Sequence, residues 1–518
     1  MGFLDIGKEI LNITETEKGD KAFKSTGNEC LDFFYLVGGK RYDVGEALKL
    51  FFKAYLSDPV TALKLLLFVR DIKGGLGERN LFRNIFYNLA KYEPQKARLI
   101  LTYIIKYGRY DDLFCVIGTP LEDEMISLID EQLKQDIENK KAEKPISLLA
   151  KWLPSINTSN KEARLLALYL IEKLHMSKME YRKTLSFLRK GLIIENNLRE
   201  KDYSFDYSSV PSAAMNNYRK AFERNDKERF DAYIENVSKG ESEMNVETLD
   251  IVNFVKRAGV AMDKSEKSDY YEATWKQLVE ESTFNTRTIV VRDGSGSMYW
   301  GGIGKIMPIY IANALTLLTA ARLKGEFANK FITFSSEPEI VDLSKKPELF
   351  QKLQYLKTLN DCSTTNIQSV YQLIVDIYKH PSFKPEDAID QIMIVSDMEF
   401  DELRGHTIGD FRKSTFEIFK DDLHDQAIDE PKKSTFEFFK DEFANIGYKM
   451  PEVIFWNVDA RGVKVPVSQT EEGVKLISGS NKNVIDMVLN TASINPLDFM
   501  FKALSRYAFI DELVKNNK

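Results

Sequence analysis

Residues 287–298 read Arg-Thr-Ile-Val-Val-Arg-Asp-Gly-Ser-Gly-Ser-Met, a β-branched run that empties directly into a carboxylate and two hydroxyls, Asp293, Ser295 and Ser297. A strand that delivers three hard oxygens to the loop at its carboxyl end constrains the fold strongly. Small divalent cations take oxygen ligands, and Mg²⁺ in near-octahedral array keeps some of its waters. The expected cofactor is therefore Mg²⁺, or Mn²⁺ or Ca²⁺ in its place, with a coordination position left open for a partner's anion.

Two later segments fall where such a site needs them. Thr365 stands just ahead of the apolar helical stretch 367–378, and a buried-strand run that begins at Gln391 ends at Asp397. An open α/β sheet gathers such loops, because its binding crevice lies outside the carboxyl ends of the strands. Other chemistries fail on the same residues. Ser295 lacks the flanking glycines of a nucleophile elbow, and Gly294 and Gly296 are not followed by the third glycine of a dinucleotide fingerprint. Four histidines and no Cys-x-x-Cys pair leave too few ligands in register for a usual zinc site. Catalysis is not expected.

The set Asp293, Ser295, Ser297, Thr365 and Asp397 resembles the metal-ion-dependent adhesion site of von Willebrand factor A domains. The element order over 284–490 suits that resemblance: strand, helix 307–323, strands 330–334 and 339–343, helix, then strands 391–395, 452–458 and 474–478. Alternating strands and helices predict a doubly wound, Rossmann-like sheet.

The first 280 residues read as helix after helix. Stretches 45–55, 60–69, 79–91, 95–107, 161–174, 181–192, 213–225 and 227–237 place apolar residues at three- and four-residue spacing. Many short amphipathic helices without intervening strands predict packed pairs in a curved repeat or ring. The net charge of −6 falls entirely after residue 280, while 61–110 and 141–220 carry a surplus of cations. A neutral domain can thus present basic patches.

Two segments of this half, Phe68-Val-Arg-Asp-Ile-Lys-Gly-Gly-Leu-Gly-Glu-Arg-Asn and Lys106-Tyr-Gly-Arg-Tyr-Asp-Asp-Leu-Phe, resemble turns of the TROVE, or Ro, RNA-binding family. The stretches 181–190, 207–222, 450–457 and 473–479 more closely resemble a related bacterial and phage family, DUF2828. The resemblance spans roughly 30–510. It implies a HEAT-like helical ring (1–280) joined to a von Willebrand factor A-like domain (284–490), with a C-terminal helix (491–518) packing back on the body. It also implies structured non-coding or misfolded RNA as the ligand of the ring. Candidate RNA contacts are Arg182, Lys183, Arg189 and Lys190, seven residues apart in pairs and so placed on one helix face, together with Arg219 and Lys220. A solvated helix face is the plainer account of those charges, as packing is for Tyr181, Tyr203, Tyr207 and Tyr218.

Three features remain. Lys73 and Arg79 flank a Gly-rich turn that could cradle phosphate, but a Gly-terminated helix explains it better. Lys413-Ser-Thr-Phe-Glu-Ile-Phe-Lys-Asp recurs as Lys433-Ser-Thr-Phe-Glu-Phe-Phe-Lys-Asp, with the acidic linker 421–430 between, and the simplest origin is a gene slippage. No apolar run approaches the length of a membrane span, and three cysteines make no disulfide framework. The expectation is a monomeric cytoplasmic protein that binds RNA and docks a partner through its metal. The alternative is a metal-dependent protein-interaction module that captures a partner's acidic residue without RNA.

Overall fold

A computed structural model describes residues 12–17, 19–301, 305–334, 337–359, 366–400 and 435–516. From residue 29 to 280 the described chain is helical, with 3-10 turns at Tyr110–Val116 and Tyr207–Ser209. Several of its helices start at side-chain caps: Asn28 accepts from the N–H groups of Cys30 and Leu31, Asp58 precedes Pro59 at the first helical position and accepts from the N–H groups of Val60 and Thr61, and Ser177 with Glu180 forms a capping box. The stretch 95–107, read as one helix, is broken into Pro94–Leu101 and Ile104–Tyr107. The longest helix, Glu122–Lys141, has a largely polar surface that hides its period; only Met125, Ile129, Leu133 and Asp136 are buried.

The two segments that resemble TROVE turns meet in the interior. Asp112 is fully buried and accepts from Arg70 Nε (2.7 Å), Arg83 Nε (2.6 Å) and the Arg109 N–H (2.8 Å). In the Gly-rich turn, the N–H groups of Leu76, Gly77 and Glu78 are spent on the carbonyls of Phe68, Asp71 and Val69. A Cβ on Gly75 would stand 2.0 Å from the Phe68 carbonyl oxygen, so the turn closes only with glycine. It is a structural turn, not a phosphate cradle.

The helical half closes on itself. Lys73, just beyond the helix Pro59–Arg70, pairs with Glu247 (2.8 Å), and Asn483 of the second half donates to the carbonyls of both Ile72 and Glu247 (2.8 Å each). The last helices of this half, Ile251–Asp263 and Asp269–Glu280, return to the α/β half. There the buried Arg322 pairs with Glu281 (2.7 Å) and donates to the Leu278 carbonyl.

The second half is built on strands β3 (Thr288–Arg292), β4 (Lys330–Thr333), β5 (Ile340–Asp342), β6 (Gln391–Ser396), β7 (Glu452–Asn457) and β8 (Val474–Ser478). They form one sheet in the order β5-β4-β3-β6-β7-β8, parallel except for the edge strand β5. β3 and β6 are buried along their whole length, as parallel strands covered on both faces are. The strand order reverses between β3 and β6, and the crevice for a ligand opens at that point.

A hairpin, β1 (Ile13–Glu15) and β2 (Lys21–Phe23), precedes the helices yet lies on the α/β half. Phe23 bridges Val465, and Lys21 pairs with Glu437 (3.0 Å). The first copy of the duplicated segment lies outside the described residues. The second forms the helix Thr435–Asn445, whose Phe436, Phe439 and Phe443 pack on Phe455, Tyr371 and Tyr378. The C-terminal stretch is Pro496–Ala503, a 3-10 turn and Phe509–Asn516 rather than one helix, and it packs on the helical half. Tyr507 donates to Asp71 (3.0 Å), Phe509 stacks on Tyr103 and Lys64 pairs with Asp511 (2.7 Å). Among the described residues no helix is long and apolar enough to cross a membrane.

Candidate metal centre and basic groove

β3 and β6 deliver the centre. Asp293 follows β3, and its N–H donates to the Val395 carbonyl of β6 (3.1 Å), which fixes the two strand ends together. Asp293 Oδ1 accepts from the Ser295 N–H (2.8 Å), and its Oδ2 accepts from Ser396 Oγ (2.6 Å). Ser295 Oγ and Ser297 Oγ stand 3.0 Å apart. Asp293 and Ser295 are fully buried and Asp397 is 2% exposed. The structure thus brings together Asp293, Ser295, Ser297 and Asp397; Thr365 lies outside the described residues.

Asp397 Oδ2 is buried without a hydrogen-bond partner, and its nearest cation is Arg461 Nη2 at 3.3 Å, an ion pair without hydrogen-bond geometry. Burial, reinforced by the neighbouring Asp293 charge, pushes the Asp397 carboxyl from 3.8 up to about 7. Arg461 Nη2 also donates to the Ser297 carbonyl (2.5 Å). Sequence reasoning missed Arg461 and Ser396. The available signal was position: Ser396 directly precedes Asp397, and Arg461 lies just beyond β7, another parallel strand ending at the same crevice. Among the described residues no three of His, Cys, Asp and Glu gather as a metal cluster. The centre offers two carboxylates and two hydroxyls instead.

The candidate RNA contacts separate into exposed and committed groups. Arg182 and Lys183 project from the helix Lys178–Arg189 into solvent. The helix ends at Arg189, so Lys190 leaves the shared face with extended backbone. Arg189 turns inward and donates to the carbonyls of Ala150 (2.8 Å) and Leu153 (2.5 Å). These four line an open groove with Lys140 and Arg199, and the acids Glu200 and Asp202 line it too. Arg219 is elsewhere and buried. It pairs with Glu223 (2.6 Å) and Glu266 (3.3 Å) and lies over the rings of Tyr270 and Tyr271, while exposed Lys220 pairs with Glu266 (2.9 Å). Tyr181 is buried with its hydroxyl on the Pro154 carbonyl, and Tyr207 donates to Asp226.

The family described as domain of unknown function DUF2828 matches residues 16–114 and 121–285. The chain belongs to the DUF2828 family. A further family, domain of unknown function DUF7788, matches 287–505, so the boundary between the two matches coincides with the passage from helices to sheet. An uncharacterized protein of Acanthamoeba polyphaga mimivirus, L728, is 26% identical over 96% of this chain and 88% of its own length. Among solved structures, the Deinococcus radiodurans RO (RSR) protein aligns over 94% of this chain and all of its own at 13% identity, with a TM-score of 0.35. That likeness is too slight to assign a role.

Proposed function

We propose that this DUF2828 protein binds structured or misfolded RNA along the basic groove of its helical half, and that its α/β half holds a divalent cation through which it docks a partner. The observation that carries the RNA reading is the groove itself. Arg182 and Lys183 stand exposed in it with no ion pair among the described residues, beside Lys190, Lys140 and Arg199. Arg199 is partly neutralised by Glu200 (3.8 Å), but exposed cations such as Arg182 and Lys183 that no acid pairs with are what a phosphate backbone requires.

The cation reading rests on the buried carboxylate oxygen of Asp397, which lacks a hydrogen bond while Asp293 and two serine hydroxyls converge beside it. Asp293, Ser295, Ser297 and Asp397 would hold the ion, with Thr365 as a further candidate. When bound, the cation supplies an open position for an acidic group of the partner. The role is binding rather than catalysis.

Filter binding of a structured RNA with a single-stranded tail, across a salt series, tests the leading reading. Arg182→Glu/Lys183→Glu/Lys190→Glu is expected to weaken binding at least about tenfold and to flatten the salt slope by roughly two to three contacts. Arg189 is left intact because its guanidinium serves the fold. Absence of binding by the wild type at low salt would sink the RNA reading. The second reading, a metal-dependent protein-interaction module without RNA, would then stand; it is favoured by the internal commitment of Arg189 and Arg219, which shrinks the basic surface.

A further inference from the structure

The centre between β3 and β6 contains a cation that belongs to the chain. Arg461 reaches in from the segment beyond β7, donating to the Ser297 carbonyl (2.5 Å) and standing 3.3 Å from Asp397 Oδ2. Both atoms lie at the mouth of the same oxygen set. Two buried carboxylates without a countercharge are costly, since like charges at close range in a low-dielectric site repel by several kcal/mol. The guanidinium relieves that cost, but loosely. It makes no hydrogen bond to Oδ2, whose free lone pairs stay available, and the arginine side chain is 24% exposed.

We infer that Arg461 is a built-in competitor for the divalent cation: it neutralises the carboxylates in the cation-free protein, and the ion enters by displacing it. The inference rests on the cation reading above. A displaced guanidinium has somewhere to go. Asp459 Oδ2 lies 3.7 Å from its Nε and Glu17 Oε2 lies 4.0 Å from its Nη1, and both line the same cleft as Arg461. The surrounding cleft is lined by Lys40, Lys305 and the exposed Trp300. The exchange is also tied to the helical half. Lys40 donates to the Arg461 carbonyl (3.1 Å), and a Cβ on Gly39 would stand 2.5 Å from the Ala460 nitrogen, so the segment carrying Arg461 is pressed against the turn 38–40.

Titration of the full-length protein with Mn²⁺, followed by calorimetry and by the paramagnetic signal of free Mn²⁺, tests this. Arg461→Gln is expected to bind Mn²⁺ at least tenfold more tightly than wild type. Arg461→Lys keeps the charge but loses the two-pronged donor, and falls between them. Equal or weaker binding by Arg461→Gln, with wild type binding normally, would overturn the competitor role and leave the cation reading intact. Absence of Mn²⁺ binding in wild type and both variants would remove the cation reading and this inference together. Thermal unfolding establishes that each variant is folded; should the glutamine variant not fold, the lysine variant decides by the same criterion.

Discussion

Asp112 in the helical half and Asp397 in the α/β half are both almost wholly buried carboxylates, yet their surroundings differ in kind. Asp112 takes two arginine side chains and a backbone N–H at 2.6–2.8 Å, and the whole group locks two turns together. Asp397 has one oxygen without a hydrogen bond, a second carboxylate nearby and a single arginine at ion-pair distance. A buried charge that is completed belongs to the fold; one left incomplete at the carboxyl ends of parallel strands is poised for something to arrive. The same contrast sorts the cations, since Arg219 and Arg189 are consumed internally while Arg182 and Lys183 are not.

Removing the completed charge should have the largest effect. Asp112→Ala strands Arg70, which is itself buried, and is expected to destabilise the protein by about 3–5 kcal/mol in urea unfolding. A loss under about 1 kcal/mol would erase the distinction between the two carboxylates.

Asp397→Asn should act in the opposite direction on the cation-free protein, leaving it at least as stable as wild type at neutral pH, because it removes a buried charge that was poorly compensated. Wild type is expected to melt at a higher temperature with Mg²⁺ present, and Asp397→Asn is expected to lose that rise. The pH dependence follows in sign. The folded carboxyl titrates near 7, against 3.8 for the free group, so the folded state holds its proton more tightly. The cost of ionising it is absent below about pH 4 and complete above about pH 7, so cation-free wild type loses stability relative to Asp397→Asn as pH rises through that window. Thermal melts of the pair at pH 5 and pH 7.5, with chelator, read the difference directly.

Closure of the helical half by exposed groups should contribute least. Lys73→Ala breaks the pair with Glu247, both side chains about half exposed, and is expected to cost less than about 1 kcal/mol at moderate salt. Hydrogen exchange at residues 246–250 would sharpen this: faster exchange there without global destabilisation would mark the contact as a latch rather than a support.

Much of the fold was legible in the residues. Short, mostly apolar runs such as 391–395 and 474–478 announced strands; the first falls one residue short of β6, and the second coincides with β8 residue for residue. Where a helix carried its apolar face in plain period, as in 79–91 or 227–237, its extent was readable to within one or two residues. Glu122–Lys141 was not, because charged residues crowd its surface. The break between Leu101 and Ile104 was hidden for the opposite reason: an apolar period continues across it while the backbone turns.

The candidate centre was legible through local spacing alone, since Asp293, Ser295 and Ser297 sit on one loop and Asp397 ends a strand of the same kind. Residues whose role depends on a distant partner were not. Ser396 reads as a residue just past a strand and Arg461 as one cation among many, until the sheet order sets both beside Asp293 and Asp397. Equally, Arg189 and Arg219 read as binding residues in sequence because nothing local shows that the carbonyls of 150 and 153, or Glu266, will claim them.

By itself, then, the sequence determined the two-part architecture and the oxygen-rich loop at the end of β3, because hydrophobic period and ligand spacing act over a few residues and are written in order along the chain. Only the tertiary structure decided which charges are completed, which remain open, that the hairpin before the helices belongs to the α/β half, and that the C-terminal helices strap the helical one. Those outcomes turn on pairings between residues hundreds of positions apart, Lys21 with Glu437, Asp71 with Tyr507, Lys40 with Arg461, whose energy depends on burial and distance and so exists only once the chain has closed.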